Sequence, residues 1–367
     1  MFKVLSSKKI FHANKVEIYD YQVKDSLPYV VRMAGNNGIK GYIKENIKFA
    51  NPKNTLTFAQ DTFIISYQKF DYFTGNNVKI LKPKFQYISE NVLKYIAVCL
   101  QKAVSPFSWG VGSSFEFIEN LKIKLPIKDE NLGDDLENID FKFMEDFIAE
   151  LEAQRIAELE AYLITTNLKD YNLTTDEKQA LKDFENLEWQ EFKTTKIFDI
   201  KNTFNILSRD IVKNSGTIPY LCASAENNGV NTYIDYDENF KDKGNCIFIG
   251  GKTFVVSYQK TDFFSNDSHN LTLRLKNQII TKENQLFLAS CVNKSLSYKY
   301  SWGNSVSSSK IKKEFINLPI KNCEINYKFM QSFIKAIEKL VIKDVVDFAD
   351  KKISLTKKCI KTPCETK

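Results

Sequence analysis

Two stretches of the 367-residue chain carry tyrosine, glutamine and lysine in the same order. They are FIISYQKFDYFTG at Phe63–Gly75 and FVVSYQKTDFFSN at Phe254–Asn266, identical at seven of thirteen positions. Lys69 and Lys260 are the residue type that meets a phosphate, or else stands as a solvated surface charge. Gln68 and Gln259 carry the amide that can bond adenine in two places, but their sameness in both stretches argues for a backbone role. Tyr67 and Tyr258 either pack with a satisfied hydroxyl or contact DNA at its phosphates. Around the turns, Arg32, Asn36, Asn37 and Lys40 precede the first stretch, and Asn227, Asn228 and Asn231 precede the second. These are the side chains that contact sugar-phosphate oxygens and base edges.

Residues able to do covalent chemistry are sparse. The two histidines, His12 and His269, have no counterparts across the two stretches, so a histidine metal site or triad is not expected. All eight prolines are isolated, which rules out the Asn/Asp-Pro-Pro-Tyr/Phe motif of amino-methyltransferases. No G-x-G-x-x-G or G-x-x-x-x-G-K-[ST] phosphate loop occurs. Seven scattered cysteines include no C-x-x-C pair. The pattern points to binding rather than reaction.

Charge bears on what is bound without deciding it. Between Asp129 and Glu160 twelve acidic residues face only Lys142 and Arg155, so the remainder holds 50 basic and 33 acidic residues, a balance of +17. That excess suits a polyanion. No apolar run is long enough to cross a bilayer, and the segment MFKVLSSKKIF lacks a signal-peptide core, so a cytoplasmic location is expected and no membrane partner.

The positioning elements repeat as well. KIF at Lys9–Phe11 returns at Lys196–Phe198, NNG at Asn36–Gly38 at Asn227–Gly229, and SWG at Ser108–Gly110 at Ser301–Gly303. LPIK at Leu125–Lys128 returns at Leu318–Lys321, and FKFMEDFI at Phe141–Ile148 as YKFMQSFI at Tyr327–Ile334. The offset stays between 186 and 193, the mark of a duplicated domain. The expected fold class is α+β, two strand-rich domains each followed by a long helix, with the two helices pairing as an antiparallel coiled coil. The boundaries read as a strand-rich domain at 1–138, a helix at 139–165 and a linker with a short capped helix at 166–189. A second strand-rich domain follows at 190–324, then a helix at 325–353 and a basic tail at 354–367. Phe63–Ile65 and Phe254–Val256 read as core strand. The helix stripe that includes Phe143, Phe147 and Leu151, and the cleaner one that includes Phe333, Ile337 and Leu340, both call for a partner.

A duplicated strand-rich domain with a P-Y…N-N-G turn, an S-W-G stretch, a closing L-P-I and a long helix resembles the DNA specificity subunits of restriction–modification systems, type I or type IIB. The resemblance covers 1–353, and its departure is LPIKDENLGDD and LPIKNCEIN where an L-P-P-L-x-E-Q style helix entry is usual. It implies a non-catalytic subunit with two target-recognition domains, each reading half of a split, gapped sequence in double-stranded DNA. It further implies that the helices space the two and dock N6-adenine methyltransferase subunits or a fused methyltransferase–nuclease. This chain would bind no cofactor; S-adenosylmethionine, with Mg2+ or ATP for cleavage, would belong to the partners. The competing readings are a coiled-coil adaptor that binds only proteins, and a stand-alone nuclease or methyltransferase.

In a split target, shared residues serve the frame or the phosphates, and differing ones read bases. The base-reading candidates are therefore Arg32–Gly35 against Cys222–Ala225, Ile39–Gly41 against Val230–Thr232, and Phe70 against Thr261. Trp109 and Trp302 are expected as packing anchors near the DNA face. Glu145, Glu150, Glu152 and Glu158, on the acidic helix, either face solvent or dock the methyltransferase, since acid there repels DNA.

Overall fold

The computed structural model describes residues 1–107, 114–129, 133, 135–276 and 281–361. It resolves two compact units, Met1–Ala161 together with Leu355–Lys367, and Tyr162–Ser354. In the first unit, strands β1 (Phe2–Ser6), β2 (Leu27–Val30), β3 (Ile39–Ile43), β4 (Thr55–Ala59), β5 (Ile65–Gln68), β6 (Phe73–Thr74) and β7 (Val78–Pro83) come first. Helices α1 (Glu90–Val104), α2 (Phe115–Glu119) and α3 (Phe141–Thr165) follow, the last turn of α3 lying in the second unit. An antiparallel sheet in the order β1-β7-β4-β5 lies alongside a smaller β3-β2-β6 sheet in which β2 and β6 are parallel. Helix α1 starts where the Ser89 side chain accepts from the Val92 N–H, the orphan donor an N-cap satisfies. It buries Val92, Leu93, Ile96, Ala97 and Leu100 against Leu56, Phe58 and Leu81 of the large sheet.

The second unit repeats the plan. Helix α4 (Thr175–Asp183) opens on a capping box between Thr174 and Glu177. Then come β8 (Glu188–Lys193), α5 (Thr194–Ile197), β9 (Phe198–Asn202), β10 (Ile218–Leu221), β11 (Val230–Ile234), β12 (Cys246–Ile249), β13 (Val256–Gln259), β14 (Phe264–Ser265) and β15 (Leu271–Leu275). Helix α6 (Lys282–Leu296), α7 (Ser308–Ile311), β16 (Phe315–Lys321), β17 (Glu324–Ile325) and α8 (Tyr327–Lys361) close it, the part of α8 from Leu355 on belonging to the first unit. The sheets β13-β12-β15-β9 and β11-β10-β14 match those of the first unit strand for strand. The two-domain α+β plan with a long helix after each repeat is as the sequence suggests. Helix α8 runs on into the segment read as a basic tail. No helix among the described residues is long and apolar enough to cross a membrane.

Three expectations need correction. The KIF match is out of register: β9 occupies the place of β1, and the Ile206 N–H meets Ser265 as the Phe11 N–H meets Thr74, so Phe11 corresponds to Ile206. LPIK forms strand β16 beside β8 in the second unit, whereas Leu121–Pro126 joins no ladder among the described residues. Of the residues read as core strand, Phe63 and Ile64, and Phe254 and Val255, are not strand residues. Phe63 and Phe254 sit in the loops before β5 and β13 with φ of 55° and 54°, their N–H groups donating to Ala59 and Gly250 at 2.8 Å. Their rings fill the cores, Phe63 against Phe107 and Phe254 against Tyr300.

One buried charge lowers the stability of the second unit. Asp242 accepts from the Phe204 N–H at 3.0 Å and is only 9 % exposed. Burial raises its carboxyl to about 6, partly offset by that hydrogen bond and by Arg274. A folded-state value above the unfolded one leaves stability intact below pH 4 and removes it as pH rises through 6. Asp242→Asn should therefore stabilise the second unit by roughly 1–3 kcal/mol at pH 7 and by little at pH 4. Urea unfolding of both proteins at the two pH values checks this; equal gains at both would rule out titration as the cause.

Candidate nucleic-acid interface

The NNG turns are built the same way in both units. Asn36 and Asn37 have φ of 40° and 53°, and Asn227 and Asn228 have 47° and 52°. This left-handed backbone is one that asparagine tolerates better than branched residues. Gly38 follows at φ 76°, where a Cβ would press to 3.3 Å on Val30 Cγ1 and on the Val31 carbonyl. The side-chain amides of Asn36 and Asn227 donate back to Ile39 and Val230 at 2.8 and 3.0 Å, closing each turn.

SYQK fastens that turn to the large sheet. Gln68 Nε2 donates to the Asn37 carbonyl at 3.1 Å and Gln259 Nε2 to the Asn228 carbonyl at 3.0 Å. In return, the Asn37 amide donates to the Tyr67 carbonyl, and the Asn228 amide to the Tyr258 carbonyl at 3.0 Å. Both glutamines are buried, so they hold the turn and present no surface to a duplex. Tyr67 is buried and Tyr258 half-buried, their hydroxyls donating to Asn54 and Asn245 at 2.9 and 3.1 Å. Burial pushes both phenols up. The packing alternative for the tyrosines matches this geometry, and Asn54 and Asn245, which terminate the clasp, carried no local signal in the sequence.

Beyond the clasp the two units diverge. Lys69 pairs with Glu90 at 2.7 Å, whereas Lys260 has no ion-pair partner among the described residues. Burial alone would raise Glu90, but hydrogen bonds and charge from Lys69 and Lys94 hold it below the ordinary carboxylate value. Phe70 stands 63 % exposed where the second unit has exposed Thr261. Arg32 pairs with Asp61, a residue the sequence did not single out, and the matching Val31-to-Gly38 and Cys222-to-Gly229 backbone bonds set Arg32 opposite Ala223, one residue on from the Cys222 expected there. Exposed Lys40 and Asn231 occupy matching positions at the starts of β3 and β11. Trp302 is 79 % exposed, not packed as an anchor, and Trp109 lies outside the described residues.

The acidic helix is largely occupied within its own unit. Glu145 accepts from Ser89 and from Asn91 Nδ2, the latter at 2.7 Å, so it braces the start of α1. Glu152 takes Lys94 at 2.7 Å, and Glu158 pairs with Arg155 on its own helix at 2.8 Å. Of the four glutamates read as docking residues, exposed Glu150 is the one with no such bond among the described residues. Apolar Phe143, Phe147 and Leu151 are also 40 % or more exposed.

The family model described as Type I restriction modification DNA specificity domain matches this chain twice, at residues 1–161 and 186–347. The specificity subunit of the Type II restriction enzyme BgcI from Heyndrickxia coagulans is 26% identical over 350 residues, 93% of each chain. The S subunit of a Type-I restriction-modification system from M. genitalium shares the fold with a TM-score of 0.56. That match is 12% identical and covers 96% of this chain and 90% of its own.

Proposed function

The chain belongs to the Type I restriction modification DNA specificity domain family, and from that premise we propose that each repeat reads one half of a split, gapped target in double-stranded DNA. As a specificity subunit it is non-catalytic. The long helices α3 and α8 set the spacing of the halves and dock N6-adenine methyltransferase subunits. Those partners bind S-adenosylmethionine and, where cleavage occurs, Mg2+ or ATP. The complex works in the cytoplasm, where its DNA is.

One observation carries this reading: the same turn-and-clasp frame occurs twice, with different side chains at its rim. Asn37, Gln68 and Tyr67 repeat as Asn228, Gln259 and Tyr258 with matching bonds, while Arg32, Lys40 and Phe70 become Ala223, Asn231 and Thr261. A common frame with unlike rims is what two different half-sites require, because phosphates are alike everywhere and base edges are not. Likeness to the specificity subunit of a Type II restriction enzyme favours the type IIB arrangement, in which the partner fuses methyltransferase and nuclease.

Genome-wide mapping of N6-methyladenine with and without this gene tests the proposal. The expected result is the loss of one gapped, asymmetric motif. An unchanged methylome, with a partner methyltransferase shown to be active, would point instead to an adaptor.

A further inference from the structure

Beside the NNG turn of the first unit lies a groove of about 310 Å³. Tyr29 and Val31 line its apolar part, and His12, Arg32, Lys40 and Asn76 supply its polar groups. Three separate chain segments bring these together: the stretch after β1, the β2–β3 turn and the β6–β7 corner. Arg32 Nη1 is held by Asp61, which also accepts from the Asn77 amide at 3.0 Å. No further polar partner of Arg32 occurs among the described residues, and its side chain is 35% exposed. The Nε and Nη2 edge of the guanidinium has no partner among the described residues.

The corresponding positions of the second unit carry different chemistry. The shared hydrogen bonds fix the correspondence, Gly75 N–H to Val30 in one and Asn266 N–H to Leu221 in the other. By that register His12 becomes Leu207, Arg32 becomes Ala223, Lys40 becomes Asn231 and Asn76 becomes Asp267. At the position of Asp61 stands Lys252, paired with Asp267 at 2.8 Å. The arginine and its carboxylate holder are both absent, and a carboxylate stands at the rim.

We infer that the groove of the first unit is a base-edge site for guanine, read by Arg32 and oriented by Asp61, with no equivalent in the second unit. The inference rests on the reading of the chain as a DNA specificity subunit. A guanine shows two acceptors, O6 and N7, in the major groove, and a planar pair of N–H donors matches them. Asp61 is a positioning residue: it fixes the rotation of the guanidinium so that two donors point outward together. A lone surface arginine would lose that alignment to rotamer freedom. Lys40 adds a donor at the same rim, while the second unit offers amide and carboxylate acceptors there, which suit a base presenting an amino group.

The test maps N6-methyladenine motifs in cells carrying the full chain as wild type, Arg32→Ala, Arg32→Gln or Asp61→Asn. Arg32→Ala should reduce discrimination at one G·C position of one half-site from roughly 10- to 100-fold to a few-fold, leaving the other half untouched. Arg32→Gln should move preference at that same position toward A·T, a gain that misfolding cannot produce. Asp61→Asn should weaken the guanine preference less than Arg32→Ala, without changing which half is affected. Retained guanine preference in Arg32→Ala overturns the inference. So does loss of all methylation in both Arg32 variants while their melting temperatures match the wild type, since Arg32 would then grip the backbone rather than read a base. If the wild-type chain directs no split motif, the specificity reading itself fails, a result separable from either of these.

Discussion

Replacing Phe254 with alanine should cost the second unit about 3–5 kcal/mol, the range for removing a large buried aromatic ring. The ring is 4% exposed, stacks on Tyr300 at 5.2 Å between centroids, and belongs to the core cluster with Ile249, Leu271 and Val306. Its backbone has φ 54°, a conformation that costs a non-glycine residue roughly 1–2 kcal/mol. Such a residue persists only where side-chain burial outweighs that cost, and the first unit repeats the arrangement at Phe63. Phe254→Gly loses the same ring but also relieves the backbone, so it should be no less stable than Phe254→Ala, the reverse of the usual order. Urea unfolding of the full chain in a Trp109→Phe background, followed by Trp189 and Trp302 fluorescence, reports on this unit. A loss below about 1 kcal/mol for the alanine variant would mean the ring is not part of the core, and a glycine variant clearly weaker than alanine would contradict the backbone argument.

The duplication, the turns and the helices were legible because each leaves a local trace. N-N-G marks a left-handed turn, the 3/4 spacing of Val92, Leu93, Ile96 and Leu100 marks a buried helix face, and Thr174 with Glu177 marks a helix start. What escaped depends on residues far apart in the chain. The clasp joins Gln68 to Asn37 across 31 positions, so a buried glutamine passed for a possible base reader. Glu145 and Glu152 read as a free acidic face, yet their partners Asn91 and Lys94 lie on another helix. Phe63 read as strand since an aromatic beside two isoleucines has strand composition, and composition carries no sign of φ. The KIF match misled because three residues are too few to fix register, which the Phe11 and Ile206 hydrogen bonds settle. Asp61 had no motif around it; only the Arg32 contact identifies it.

Binding of the full chain to duplex DNA should weaken about 10³- to 10⁵-fold between about 50 and about 200 mM salt, if it neutralises roughly 6–10 phosphates. Outside 129–160 the chain carries a charge balance of +17, from 50 basic and 33 acidic residues, which is ample for that number. The two clasp lysines should contribute unequally. Lys69 is already neutralised by Glu90 at 2.7 Å, so binding a phosphate means giving up that pair. Lys260 is exposed with no such partner among the described residues, so Lys260→Ala should lower the log–log salt slope by about one and Lys69→Ala by less. Neither change should alter which sequence is preferred, since phosphates carry no base identity. Fluorescence anisotropy titrations at four salt concentrations, on target and on scrambled duplexes, separate these effects. A salt-insensitive interaction would remove phosphate contact from the account and leave the adaptor reading in its place. A Lys260→Ala chain that keeps its slope but changes its sequence preference would move that lysine from the backbone to a base edge.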